Sequence, residues 1–354
     1  MKRLLFVCDS LEEKGGVEKL VSLQANHFEA QGHVVRILTR YAQNKPPAYP
    51  LAPGISVVSY SWPLRAAGLS KLWRFGGFMR WVRAQVRDFK PDWVLTNGLN
   101  VGVLTILANP DYKKQVIACD HNHFGNANGL WNRLRKIAYR DIGHFVSLTR
   151  EDLPLYQEVN PRSVCIYNPV SLSSAPGSFA RNRQVLAVGR HTRQKGFDLL
   201  LEAWQQVVKV HPDWALTIVG EGDETPNLKK QIQQLGIGDT VHLHPFSDNI
   251  ASYYQNSNLF VLSSRFEGLS LVLIEAIAMG VPVVAFSCKT GPREVLEQGG
   301  GTLVEAENVG KLAQAIIYFI EHPETWDSMS EAGKENAQRF THENYFAQWE
   351  ALLR

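Results

Sequence analysis

Short apolar runs alternate with longer amphipathic segments along the whole chain. Leu4–Cys8, Val34–Thr39, Trp93–Thr96, Val116–Cys119, Phe145–Leu148 and Val164–Tyr167 read as buried strands, and so does a second series: Val185–Val188, Ala215–Val219, Val241–Leu243, Leu259–Leu262 and Pro282–Phe286. Between them, Val17–Ala30, Gly196–Val210 and Val309–Glu321 repeat apolar positions at three- and four-residue spacing, which predicts helices. Strands alternating with helices build parallel sheets covered on both faces. Two such series predict two doubly wound α/β domains. Tyr167-Asn168-Pro169-Val170 closes the first series, and the low-propensity stretch SLSSAPGSFARNR follows it. The chain therefore divides at about residue 168. No repeat of 20–50 residues is present.

Composition agrees with this division. A chain of 354 residues suits two cores, and 45% hydrophobic with 20% charged residues is globular rather than disordered. The net charge of +3 conceals an asymmetry: residues 1–168 carry +9 and the remainder −6. Cys8, Cys119, Cys165 and Cys288 are far apart, share no CxxC spacing and lie in or beside apolar runs. They are expected to be buried, reduced thiols of a cytosolic protein. MKRLLFVCDS imitates a signal peptide, but Asp9 ends its apolar run too early. The longest apolar window, LVLIEAIAMGVPVVAF, is interrupted by Glu275, so no spanning helix is expected.

In open parallel sheets, ligands bind beyond the carboxyl ends of the strands. Three loops there carry chemistry. After the first strand, Asp9-Ser10 leads to Gly15-Gly16-Val17-Glu18, where glycines permit close backbone approach to a phosphate or sugar; a flexible turn is the equal alternative. GxGxxG is absent, which weakens a nicotinamide reading. After Val185–Val188, the run GRHTRQKGFD places Arg190, Arg193 and Lys195 between a strand and a helix, a set that suits a diphosphate better than a solvated basic loop. The third loop, SSRFEGLSLVLIEA, holds Glu267, Gly268 and the helix-start N–H groups of Leu269, Ser270 and Leu271. Carboxylates accept hydrogen bonds from sugar hydroxyls while the helix end attracts phosphate, although Glu267 alone also reads as a favourable helix-start charge. Glu275, flanked by VLI and AIA, is a carboxylate in an apolar stripe and needs a partner.

The run EGLSLVLIE followed by AIAMGVPVVAF resembles the signature of glycosyltransferase family four, the retaining, nucleotide-sugar-dependent enzymes of GT-B fold. GRHTRQKGFDLLLEAW, VGEGDE, the early GGVEK and the late GPREVL stand in that family's order. The resemblance implies two Rossmann-like doubly wound parallel-sheet domains facing across a cleft. It implies an acceptor-side domain, 1–168, onto which a closing helix at 341–354 packs back through Trp349 and Leu352, and a nucleotide-sugar domain, 169–340. It further implies that Arg190 and Lys195 hold the donor diphosphate, that Glu275 binds the ribose, and that Glu267 with Gly268, Leu269, Ser270 and Leu271 holds the sugar and its phosphate. Gly16 would line the donor diphosphate or the acceptor side from the first domain, and His121 would face the transferred sugar. Phe246, in His244-Pro245-Phe246, falls where the nucleobase lies. The linker Asn168-Pro169-Val170-Ser171 and the Arg265-Phe266 pair depart from the family pattern and leave the sugar open.

No Asp-x-Asp occurs, so transfer is expected to need no metal and no cofactor, with two cations and a helix end acting in the metal's place. The expected reaction is hexosyl or N-acetylhexosaminyl transfer from a UDP-linked donor to a glycan or lipid-linked glycan of the bacterial surface. The alternatives are a related nucleotide-sugar epimerase or phosphorylase, and a non-catalytic glycan-binding module. Leu64–Lys90 interleaves Arg65, Lys71, Arg74, Arg80, Arg83, Arg87 and Lys90 with Trp73, Phe75, Phe78, Trp81 and Phe89, and Trp131–Lys136 adds more cations. Such stretches suit an anionic membrane surface better than nucleic acid, for which no signature is present. The protein is expected at the inner leaflet of the cytoplasmic membrane, attached peripherally.

Overall fold

The computed structural model describes residues 1–42, 45–60, 70–170, 172 and 182–354; the side chains of residues 70–73 and 126 are also not described. Most of the stretch 171–183, expected as a linker, lies outside the described residues. The chain divides into one unit of residues 1–167 with 348–354 and another of residues 168–347.

In the first unit, β1 (Arg3–Cys8), α1 (Gly16–Ala30), β2 (Val34–Thr39), β3 (Ser56–Ser59), α2 (Ser70–Phe89), β4 (Trp93–Asn97), α3 (Leu99–Ala108), β5 (Val116–Cys119), α4 (Gly129–Tyr139), β6 (His144–Ser147), α5 (Leu153–Gln157) and β7 (Ser163–Cys165) follow in order. The sheet runs β3-β2-β1-β4-β5-β6-β7, with every pairing parallel. The second unit contains β8 (Gln184–Val188), α6 (Phe197–Val208), β9 (Ala215–Val219), α7 (Thr225–Leu235), β10 (Val241–His244), α8 (Ile250–Gln255), β11 (Leu259–Leu262), α9 (Leu271–Ala278), β12 (Val283–Phe286), α10 (Pro292–Val295), β13 (Gly301–Val304), α11 (Val309–Glu321) and α12 (Trp326–Ala337). Its sheet runs β10-β9-β8-β11-β12-β13, again all parallel. Both sheets are doubly wound α/β sheets of Rossmann type, as the alternating pattern predicts.

Their central strands are apolar throughout because helices cover both faces: Leu4 to Cys8 and Leu259 to Leu262 are buried without a break. Two strands not expected from the pattern, β3 and β13, are the outer strands of their sheets. Each has four residues, and each lacks the continuous burial that makes inner strands legible. α6 starts at Phe197 rather than Gly196, because Gly196 is left-handed (φ +62°) and closes a short 3-10 turn over Arg193–Lys195.

α13 (His342–Leu352) ends the chain, and residues from Gln348 onward belong to the first unit. There His27 Nε2 lies 2.9 Å from Glu350 Oε1, Trp93 Nε1 donates to the Leu353 carbonyl at 3.2 Å, and Lys2 Nζ donates to the same carbonyl. Trp349 is buried, Leu352 is half-buried and Leu353 is buried.

The basic, aromatic stretches are organised differently from the sequence expectation. In α2, Phe78 and Phe89 are buried, and Phe75 and Trp81 pack against the same core. Arg80, Arg87 and Lys90 are exposed. The helical period sends the interleaved residues to opposite faces, so the aromatic face is core and not a membrane-facing surface. Leu64 and Arg65 lie outside the described residues, and the side chains of Lys71 and Trp73 are not described. In α4, Arg135 is 1% exposed and belongs to a buried ion pair. The exposed face of α4 instead carries Leu130, Arg133, Lys136 and Ile137, with Arg140 just beyond.

Candidate functional site

In the second unit the strand order reverses between β8 and β11, and the loops leaving these two strands meet. The loop after β8 is braced by glycines of VGEGDE. A methyl group at Gly220 would overlap the Gly189 carbonyl, and one at Gly222 would overlap the His191 carbonyl. A methyl at Gly196 would overlap the carbonyl of Ser263, so this glycine sets the approach of the two loops. Ser263 Oγ donates to the Lys195 carbonyl at 2.9 Å.

This close approach brings Lys195 and Glu267 together across 72 residues: Nζ donates to Oε1 at 2.7 Å. Ser264 Oγ donates to the same oxygen at 2.6 Å. Glu267 is 5% exposed, so its carboxylate is stabilised by a cation and a hydroxyl in a largely dry setting. Its backbone is fixed as well. Glu267 N–H donates to the Lys289 carbonyl at 2.8 Å, and Thr290 N–H donates back to the Glu267 carbonyl at 3.0 Å. Gly291, at φ +93°, lies where a methyl group would overlap the Gly268 carbonyl. Lys289-Thr290-Gly291, ending on the first residue of the late GPREVL run, is thus a backbone template for the Glu267 loop.

Ser270 is the N-cap of α9, is 2% exposed, and has a hydroxyl without a partner among the described residues. Leu269 is buried beside it. The loop from Gly268 to Leu271 thus presents helix-start N–H groups and an unpartnered hydroxyl next to the Lys195–Glu267 pair. Glu275, in the second turn of α9, is buried and accepts a hydrogen bond from Tyr254 Oη at Oε2, 3.3 Å. Burial and the adjacent Glu275 carboxylate push the Tyr254 phenol well above its usual range. Arg190 is exposed, and its guanidinium has no partner among the described residues. Phe246 follows β10 and is half exposed.

Arg265, a departure from the expected pattern, makes a two-pronged contact with Asp198 at 2.8 and 2.7 Å and a third bond to Glu307 at 3.0 Å. It ties the Glu267 loop to the first turn of α6.

The first unit reverses its strand order between β1 and β4. The loops after β1, β4 and β5, with α4, enclose a cavity of about 580 Å³. His121 lines it, in a left-handed backbone conformation (φ +57°). Its Nε2 lies 2.8 Å from Asn97 Oδ1, and Cys119 Sγ lies 3.8 Å from Nδ1. Burial pushes the His121 imidazole down to about 4, so it is neutral near pH 7. Gly16 opens α1 and is exposed, while the following Val17 and Glu18 line the cavity.

Beneath His121, Asp120 is buried in a network. Tyr139 Oη donates to it at 2.6 Å, Tyr156 Oη at 3.3 Å and Arg135 Nη1 at 3.4 Å. Burial raises the Asp120 carboxyl against the lowering pull of Tyr139 and Arg135. Phe124 lies under the Arg135 guanidinium at 3.7 Å. Among the described residues, no group of three or more His, Cys, Asp or Glu side chains is placed to hold a metal ion.

Tyr254, Ser264, Thr290, Asn97 and the Asp120 network were not singled out by the sequence. Tyr254, Thr290, Asn97 and the Asp120 partners lie at long separations that no local spacing signals, whereas Ser264 stands only three residues before Glu267. Arg265 had a signal, its departure from the pattern, but not a role.

Residues 173–336 match the family model described as glycosyl transferases group 1, and residues 14–174 match that of glycosyltransferase family 4. The chain is 29% identical, over the full length of both, to an uncharacterized glycosyltransferase of Haemophilus influenzae. It is 28% identical, again over both full lengths, to the amylovoran biosynthesis glycosyltransferase AmsD of Erwinia amylovora. Its fold is similar to sucrose-phosphate synthase of Thermosynechococcus elongatus, with TM-score 0.84, 21% identity and coverage of 99% of this chain and 98% of the other. It is also similar to Anabaena HepE in complex with UDP and glucose, with TM-score 0.80, 19% identity and 99% coverage of both. Two parallel α/β sheets, the loops at their reversal points and the two family matches together make this chain a family-four-type glycosyltransferase of GT-B fold.

Proposed function

We propose that the protein is a retaining, metal-independent transferase acting in bacterial surface polysaccharide or glycolipid synthesis. It moves a hexosyl or N-acetylhexosaminyl residue from a UDP-linked donor to a glycan or lipid-linked glycan. The observation that carries this reading is the Lys195–Glu267 pair at the β8/β11 reversal, beside a helix start whose Ser270 hydroxyl is buried and unpartnered. The amylovoran enzyme and Anabaena HepE with UDP support the pathway class and the nucleotide.

In this mechanism Arg190, Lys195 and the N–H groups from Gly268 to Leu271 neutralise charge that develops on the leaving diphosphate. Glu267 holds the donor sugar, Glu275 the ribose hydroxyls, and Phe246 the nucleobase edge. The bond from the anomeric carbon to the phosphate oxygen breaks as the acceptor oxygen bonds to the same face. The acceptor proton passes to the departing phosphate oxygen. Neutral His121, with Gly16 in the same unit, is assigned to the transferred sugar and donor. Proton NMR of the first product is expected to show the donor's anomeric configuration with EDTA present. Inversion, or loss of activity in EDTA with recovery on Mg²⁺ or Mn²⁺, would refute the corresponding part of the proposal.

Peripheral attachment at the cytoplasmic leaflet is proposed through α4 instead of the aromatic face of α2. Leu130 and Ile137 are 65% and 57% exposed and stand beside Arg133 and Lys136, an apolar and basic surface suited to anionic lipid. No helix among the described residues is long and apolar enough to cross a membrane. Cosedimentation with anionic vesicles should exceed that with neutral vesicles and fall in Ile137→Asp; equal cosedimentation would remove the idea.

A further inference from the structure

Arg265 stands two residues before Glu267 and reaches across to the turn that carries Lys195. Its guanidinium makes four hydrogen bonds. Nε donates to Glu307 Oε2 at 3.0 Å, Nη1 to Asp198 Oδ1 and to the Arg193 carbonyl, each at 2.8 Å, and Nη2 to Asp198 Oδ2 at 2.7 Å. Arg193 opens the 3-10 turn that ends on Lys195. The backbone repeats the connection: Arg265 N–H donates to the Gln194 carbonyl at 2.8 Å, and Gln194 Nε2 donates to the Phe266 carbonyl at 3.0 Å. One residue thus bonds to both residues that precede Lys195 in its turn, while its own chain runs directly on to Glu267.

The carboxylates that hold the guanidinium come from other elements. Asp198 lies in the first turn of α6. Glu307 lies between β13 and α11 in a left-handed conformation (φ +60°) that residues with side chains rarely adopt. Burial raises the Asp198 carboxyl, but the bonds and charge of Arg265 outweigh it and hold the group below its ordinary range. A lysine at this position would keep a positive charge near both carboxylates. It has a single nitrogen, however, and cannot hold the Arg193 carbonyl, both Asp198 oxygens and Glu307 together as the planar fork does.

We propose that Arg265 is a positioning residue for transfer: it fixes the Arg193–Lys195 turn against the Glu267 loop and acts on the leaving diphosphate only through Lys195. The inference rests on the transferase reading and adds to it a residue assigned to neither donor nor acceptor. Displacing a group that stabilises the transition state by about 1 Å lowers the rate by about 10²-fold. Because charge on the diphosphate develops only as the bond breaks, the loss falls on kcat and leaves KM for donor nearly unchanged.

The test compares wild type, Arg265→Lys, Lys195→Met and the double variant by UDP release from UDP-linked sugars, with thermal melts setting the folded fraction. Arg265→Lys, which keeps the cation, is expected to lose about 10–100-fold in kcat with donor KM within about threefold of wild type. In the Lys195→Met background the same change is expected to cost less than about threefold, since the group it positions is gone. Asp198→Ala loosens the guanidinium without altering either loop and should lose about 3–10-fold in kcat, so it decides the matter if Arg265→Lys does not fold. Amide hydrogen exchange in peptides covering residues 190–198 should quicken about tenfold or more in Arg265→Lys. Wild-type kcat in both single variants at equal folded fraction, an equally large loss in the Lys195→Met background, or unchanged exchange would each overturn the proposal. No nucleotide release by folded wild type from any sugar nucleotide would refute the transferase reading instead; quickened exchange confined to that turn would then still support the positioning role, and unchanged exchange would overturn it.

Discussion

Lys195→Met removes the ammonium but keeps the aliphatic stem, which packs about 3.1 Å from where a methyl group on Gly189 would stand. The substitution acts twice. It leaves Glu267, 5% exposed, with the Ser264 hydroxyl as its remaining side-chain donor, and it removes a cation assigned to the leaving diphosphate. Breaking a fully buried pair costs about 3–5 kcal/mol, but the Lys195 side chain is 17% exposed and Ser264 stays, so about 1–3 kcal/mol of stability is expected. Glu267→Gln in the same background should recover part of that loss, because the uncompensated charge is then gone. The two substitutions should be non-additive by about 1–3 kcal/mol. Turnover should behave differently: Lys195→Met should lose about 10²–10³-fold in kcat, as for removal of one group stabilising the transition state, and Glu267→Gln should not restore it. Urea denaturation of the four proteins and nucleotide-release kinetics provide the two readouts. Recovery of kcat together with stability in the double variant would show that Lys195 serves only to hold Glu267, and would refute its assignment to the diphosphate.

Gly291→Ala forces a methyl group against the Gly268 carbonyl at a left-handed φ, so about 1–3 kcal/mol of stability should be lost, with KM for donor rising as the Glu267 loop shifts; melts and initial rates check both. His121, with a folded pKa of about 4 against an ordinary 6.5, stays neutral while the unfolded chain takes up a proton between those values. The unfolded state therefore binds more protons, and stability should fall as pH drops from about 6.5 towards 4, by at most about 1.4 kcal/mol per pH unit. Urea midpoints across that window should show this extra slope in the wild type and not in His121→Gln. Arg135→Met leaves Asp120 buried with only tyrosine donors and should cost about 3–5 kcal/mol; a loss below about 1 kcal/mol in denaturant titration would show that the ion pair is not needed.

The inner strands were legible because burial on both faces leaves an unbroken apolar run, as in LLFVC and LFVL. The outer strands SVVS and GTLV were not, since a four-residue edge strand with partly exposed positions has no such run. The loops that carry Glu267, Gly268 and Ser270 were legible from their spacing before an apolar helix. What they touch was not. Lys195 meets Glu267, and Tyr254 meets Glu275, only after β8, β11 and α8 are folded around one reversal point. The basic and aromatic residues of α2 show the opposite failure. In sequence they interleave, but a period of 3.6 places Phe75, Phe78, Val82 and Phe89 on one packed face and Arg80 and Arg87 outside it. Arg135 looked like one more surface cation because its partner, Asp120, lies on another element.

The proposed role of the loops at the β8/β11 reversal is to bind a nucleotide sugar and stabilise its diphosphate as a leaving group. Its most direct measurement is nucleoside diphosphate release from UDP-, GDP- and ADP-linked sugars, with wild type and Lys195→Met side by side in EDTA and a bacterial glycolipid extract as acceptor. Acceptor-dependent release of UDP by the wild type is expected, with release by the variant at least a hundredfold slower at equal folded fraction. Equal rates for the two proteins, or no release from any of the three donors by folded wild type, would contradict it.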